Sequence, residues 1–197
     1  MDFVALFSFI MLNTLLPGPN NLTSMANASK YGFKKSYRFN IGIFCGFLVV
    51  FSGCVAFSSL LYRYIPPIKP IMLVIGATYI LWLAYSIWRN GPRKTNTLLA
   101  ETNTLRAGLI LQFVNVKLIL YGITVMSSYI LPYYSSVAIL AAFVLLLSFI
   151  GFVATCCWAL FGVAFDRLFK KHGKILNVIM SLALVYCAIS MLWELWA

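Results

Sequence analysis

Acidic side chains are nearly missing from this chain: Asp and Glu together number 4 in 197 residues, against 15 Lys and Arg. Charged residues of both signs make up 10%, where soluble domains carry about 25%. The four acids, Asp2, Glu101, Asp166 and Glu194, all fall at ends or in gaps between apolar runs, so a carboxylate proton relay inside a membrane core is excluded. Histidine occurs once, as His172 in a basic gap. No nucleophile–base pair and no metal-ligand spacing can be assembled, which argues against an enzyme and against a metal or other cofactor. No Gly-rich phosphate loop is present either, so nothing indicates an ATP site. The five cysteines (Cys45, Cys54, Cys156, Cys157, Cys187) lie inside apolar runs. Their odd number and irregular spacing indicate packing residues rather than a disulfide framework. The start, Met1-Asp2-Phe3, carries no positive charge and no small-residue cleavage motif follows the first apolar run. The expectation is that this segment is retained.

Apolar residues dominate instead. Hydrophobic types make up 62% of the chain, more than a water-soluble fold of this size can bury. The apolar runs approach 20 residues rather than alternating over ten, which indicates membrane-spanning helices and not a barrel. Six segments can be marked, at 3–29 (interrupted), 39–61, 71–88, 107–131, 136–164 and 175–196. Each is long enough to cross a core of about 30 Å, and the fifth is long enough to tilt.

A formal net charge of +11 could be read as a nucleic-acid signal. Placement decides otherwise. Lys30, Lys34, Lys35 and Arg38 follow the first segment; Arg89, Arg93, Lys94 and Arg106 follow the third; Arg167, Lys170, Lys171 and Lys174 follow the fifth. The other side has only Arg63 and Lys69. The positive-inside rule makes the twelve cytoplasmic, so both termini face outward, with Tyr133, Tyr134, Trp193 and Trp196 at the outer interface. Anionic headgroups, not nucleic acid, are their partners. Three spans in each half place the second half upside down relative to the first, as in the inverted repeats of secondary transporters. The expected architecture is one all-α transmembrane domain over 1–197, with halves at roughly 1–90 and 105–197.

Two polar clusters interrupt the apolar runs. In the first span comes Pro17-Gly18-Pro19-Asn20-Asn21. The prolines remove backbone donors and break the helix, and Gly18 tolerates the dihedrals between them. Irregular backbone at membrane depth survives where it is buried in protein or lines a cavity. A half-helix starting near Asn20 would present free N–H groups and a positive dipole end to a carboxylate. The bland alternative is a proline kink that only shapes packing. In the fourth span comes Gln112-Phe113-Val114-Asn115-Val116-Lys117. Lys117 lies about 15 Å into the bilayer, counted from Ala107. A charge there costs roughly 2.5–3.5 kcal/mol, so a partner or a watery cavity is expected, and snorkelling is the alternative. Tyr121, one turn further on, joins the candidate substrate-binding set of Pro17, Gly18, Pro19, Asn20, Asn21, Gln112, Asn115 and Lys117. Gly42 and Gly46 form a GxxxG packing face.

Pro17-Gly18-Pro19-Asn20, Ser29-Lys30-Tyr31-Gly32 and Gly42 through Gly46 together resemble the LysE/RhtB family of amino-acid exporters, over essentially the whole chain. Most of that family has Asn-Pro-Lys in the fourth span; Asn115-Val116-Lys117 keeps the polar pair and loses the proline. The stretch from Leu111 to Gly122, with Cys157-Trp158-Ala159-Leu160 and Leu184-Val185-Tyr186-Cys187-Ala188, is similar to the cysteine/O-acetylserine branch. The resemblance implies export of small amino acids from cytoplasm to periplasm through a bacterial inner membrane, with protons as the usual coupling ion and a homodimer as an admissible assembly. The alternatives left open are another neutral amino acid of the homoserine or threonine type, a passive channel, or a scaffold.

Overall fold

The structure, a computed structural model, describes residues 3–89, 103–168 and 173–193. Arg93, Lys94, Glu101, Lys170, Lys171, His172, Glu194 and Trp196, invoked above, lie outside the described residues, as does Asp2. Eight α-helices follow one another with no strand among the described residues: α1 (Phe3–Leu15), α2 (Pro19–Tyr31), α3 (Phe33–Ala56), α4 (Ser58–Arg89), α5 (Leu105–Val114), α6 (Val116–Thr124), α7 (Val137–Leu168) and α8 (Gly173–Trp193). A π-helical turn, Val125–Ile130, extends α6, closed by the Leu131 N–H on the Met126 carbonyl at 2.8 Å.

Two helices, Phe33–Ala56 and Val137–Ala164, are long and apolar enough to cross a membrane alone, and two bent pairs qualify as broken spans. The first pair is α1 and α2, turned by 43°. Pro19 opens α2 at its first helical position behind an extended Gly18, where a missing N–H costs nothing. The second pair, α5 with α6 and its π-turn, bends by 65°. No proline causes it. Asn115 leaves helical geometry at φ −83°, ψ 86°, and its side chain caps α6 by accepting from the Leu118 N–H at 3.3 Å. Gly32 joins α2 to α3 at φ 80°, a conformation that disfavours any Cβ.

Burial is uneven along the first bent pair. In α2 every residue from Pro19 to Ala28 is buried, although the segment is largely polar or small. In α1 only Leu6 and Ile10 are buried, while Phe3, Val4, Phe7 and Leu12 are exposed. The tight crossings are made by glycine. A Cβ on Gly42 would collide with the Leu105 carbonyl, one on Gly108 with the Phe39 carbonyl, and one on Gly162 with the Met25 carbonyl. So α3 meets α5, and α2 meets α7, at backbone distance, and the expected packing role of Gly42 and Gly46 is observed.

Outward faces of α4, α7 and α8 carry exposed Ile75, Tyr85, Trp88, Leu145, Phe149, Phe161, Leu182 and Tyr186. In water such faces would be aggregation surfaces. In lipid they are the ordinary exterior of a membrane protein.

One element departs from the sequence reading. α4 runs unbroken from Ser58 through Pro66, Pro67 and Pro70, a stretch read above as a gap before the third span. Within the helix the apolar part is Leu73–Tyr85. Proline is tolerated in such helices where neighbouring groups re-satisfy the freed carbonyls.

Candidate substrate site

Both helix breaks open onto the same place. A chamber of about 50 Å³ is lined by Gly18, Pro19, Asn20 and Asn21 from the first break and by Asn115, Lys117 and Tyr121 from the second. Phe47 and Phe51 of α3, and Gly151 and Thr155 of α7, complete its wall. A larger vestibule of about 510 Å³ adjoins it, sharing Gly18, Pro19, Lys117 and Tyr121 and bounded by Phe9, Leu73 and Cys187. Eight of the nine candidate residues therefore line one or both cavities, with Pro17 in the vestibule alone.

Gln112 is the ninth, and it lines neither. Fully buried, it is held in a reciprocal amide pair: Asn20 Nδ2 donates to Gln112 Oε1 at 2.8 Å, and Gln112 Nε2 donates to Asn20 Oδ1 at 3.0 Å and to the Gly108 carbonyl at 2.8 Å. This pair ties α2 to α5, an arrangement that rigidifies because every buried group in it is met.

The carbonyls at the end of α1 are also occupied. Asn21 Nδ2 reaches back across the break to the Thr14 and Leu16 carbonyls at 2.9 and 3.0 Å. Trp158 Nε1 donates to the Leu15 carbonyl at 3.2 Å, and Cys187 Sγ lies 4.0 Å from the Pro17 carbonyl. Asn21 thus closes the frayed end of one half-helix from the first turn of the next.

Lys117 is the exception. It sits in the first turn of α6, where a cation opposes the helix dipole. Its Nζ lies 3.4 Å from the position a Cβ on Gly18 would take, beside the start of α2, which no side chain caps. Two helix N-termini and an ammonium converge there, and among the described residues no carboxylate meets them. Helix N-termini and an ammonium both favour a negative charge beside them. A Cβ at residue 18 would crowd the ammonium.

Sequence reasoning overlooked Asn13, Thr14, Phe47, Phe51 and Thr155 as lining residues. Asn13 and Thr14, polar within an apolar helix just ahead of the prolines, carried a readable signal. Phe47 and Phe51 carried none, being indistinguishable from core phenylalanines.

Residues 11–195 match the LysE type translocator family. The chain belongs to that family. Among relatives of this translocator, the cysteine/O-acetylserine efflux proteins of Escherichia coli (strain K12) and Shigella sonnei (strain Ss046) are each 38% identical over 185 residues, covering 94% of both chains. The protein of that name from Escherichia coli O6:K15:H31 (strain 536 / UPEC) is 37% identical over the same length. No solved structure matches. Its family is one of translocators rather than enzymes, and the apolar helices make this translocator a membrane protein.

Proposed function

We propose that this translocator exports small neutral amino acids, cysteine and O-acetylserine first among them, from the cytoplasm to the periplasm of a bacterium. The observation that carries the reading is the uncompensated Lys117 ammonium at the uncapped start of α2. A zwitterion's carboxylate supplies the missing negative charge, in a charge-assisted contact stronger than a neutral hydrogen bond. The relatives' printed names supply the substrate class. Homoserine or threonine would satisfy the same anion site, and they are the second reading.

Six crossings in an inverted three-plus-three repeat are part of the proposal. The first span lies against the fifth through α2 and α7, the second against the fourth through α3 and α5, and the third against the sixth through α4 and α8. Exchanging the halves maps these neighbours onto themselves, and each half begins with a broken span. Both facts support the repeat. Proton coupling, if the family's usual ion is used, would run through Lys117 or the substrate's own groups.

The cavities suit a transport intermediate. An apolar cavity of ~150 Å³ takes up benzene, so the 50 Å³ chamber is too small for a whole amino acid, while the 510 Å³ vestibule is ample. With the basic gaps cytoplasmic, the vestibule beside α1 belongs to the outer half, and the buried α2 closes the inner half.

Counterflow in proteoliposomes tests the function. Vesicles preloaded with unlabelled cysteine or O-acetylserine should accumulate the labelled amino acid transiently, and vesicles preloaded with lysine or glutamate should not. Accumulation with every preload, or with none, sinks the proposal. Topology has its own test: alkaline phosphatase fused after Ala197 should be active, and an inactive fusion beside an active cytoplasmic reporter at that position overturns the span orientation.

A further inference from the structure

Of the polar side chains that line the chamber and vestibule, nearly all are already engaged within the protein. Asn13 and Thr14 bond the Phe9 and Ile10 carbonyls, Thr155 bonds the Phe152 carbonyl, and Thr124 bonds the Leu120 carbonyl. Asn20, Asn21, Asn115 and Cys187 have the partners given above. Apart from the exposed Tyr186, two remain: Lys117, and Tyr121, whose hydroxyl is buried without a hydrogen-bond partner among the described residues. Tyr121 is 6% exposed and lines both cavities. The other unpartnered buried side-chain atoms, on Thr23, Ser36, Asn103 and Ser148, line neither cavity. A buried hydroxyl without a partner needs an explanation, and at the wall of a cavity a ligand supplies one.

We infer that Tyr121 reads the polar atom of the substrate's side chain: the thiol of cysteine, or the ester carbonyl of O-acetylserine. This rests on the export function proposed above and extends it from the zwitterion to the side chain. Residues 117 and 121 are four apart on α6, so they share a face one turn apart, about 5–6 Å along the axis. A small α-amino acid with its carboxylate on Lys117 then brings its side chain to Tyr121. Aromatic neighbours flank the ring. Phe9 lies against it at 5.7 Å between centroids, and Phe51 meets it edge-on at 5.7 Å, itself stacked on Phe47 at 5.8 Å. The hydroxyl can donate to an ester carbonyl or a sulfur, and accept from S–H. A substrate lacking a polar side-chain atom leaves it unpaired, which is how a site rejects an isostere.

Tyr121→Phe keeps the ring and its neighbours and removes only the orphaned oxygen, so the purified variant should melt no lower than the wild type. Counterflow is measured with cysteine and with 2-aminobutyrate, its isostere without sulfur. The wild type should favour cysteine by about tenfold, and the variant should carry the two substrates at rates within about twofold of each other. Equal loss of both substrates would mean that the hydroxyl serves the ammonium common to all amino acids, and an unchanged preference would mean that it serves neither; either overturns the assignment. A wild type that carries both equally also overturns it while leaving export intact. A wild type that carries no amino acid sinks the export reading itself. Should the variant melt lower, Tyr121→Leu provides the second replacement without a polar atom and faces the same criteria.

Discussion

Lys117→Met is expected to reach the membrane at wild-type abundance and to export roughly 10- to 100-fold more slowly. The estimate follows from losing a hydrogen bond to a charged group, about 1.5–3 kcal/mol, at 1.4 kcal/mol per tenfold. Methionine preserves much of the stem that lies along Gly18 and removes a cation held at a helix N-terminus with no countercharge. Stability should therefore hold or rise. Lys117→Arg should retain part of the activity, because a planar fork does not replace a compact ammonium beside Gly18. Transport and membrane abundance are measured in the same cells. A well-expressed Lys117→Met that exports at the wild-type rate would show that the charge is a bystander, and the anion site would dissolve with it.

Gly108→Ala should have a large structural effect for a single methyl. The added Cβ would strike the Phe39 carbonyl, a backbone atom that cannot rotate away, at the crossing that also places Gln112 against Asn20. Overpacking of this kind costs about 1–3 kcal/mol, equivalent to roughly 2–12 °C in melting temperature for a chain of this size. Gly53→Ala is the matched control, since a Cβ there meets nothing within 4 Å and alanine favours the helix. Thermal unfolding of the purified variants decides. If Gly108→Ala melts with the wild type, the close approach of α3 and α5 is not what holds this crossing together.

The first helix break was legible because proline announces itself: Pro17 and Pro19 cannot both continue a helix. The second was not. Asn115 reads from the sequence as one polar residue in an apolar run, and only its backbone geometry and its bond to the Leu118 N–H reveal a cap. Gln112 was conspicuous as a buried amide, but its partner Asn20 is 92 residues away, and no local pattern encodes that pairing. Conversely, the less apolar stretch between residues 61 and 71 read as a gap where α4 is helical, because apolar runs mark where a chain crosses lipid and not where a helix stops. Lys117 was legible as a costly charge, whereas its neighbour Gly18 became visible only in three dimensions. Tyr121 could be named as a candidate, but the orphaned state of its hydroxyl depends on what every surrounding side chain does.

The composition of α2 bears on how the protein is made. Its segment, Pro19–Tyr31, contains Asn20, Asn21, Thr23, Ser24 and Asn27, too many polar groups to partition into lipid alone. Its native cover is supplied largely by α3 and by α7, the latter synthesised more than 100 residues later. Until Gly162 has emerged there is no groove for the Met25 backbone to enter. The α2 half of the first span must therefore wait at the aqueous or headgroup boundary during translation and enter the bilayer late, as a post-insertion docking step. Truncated chains ending before α7 should accordingly leave residues 19–31 open to protease from the side on which the ribosome works.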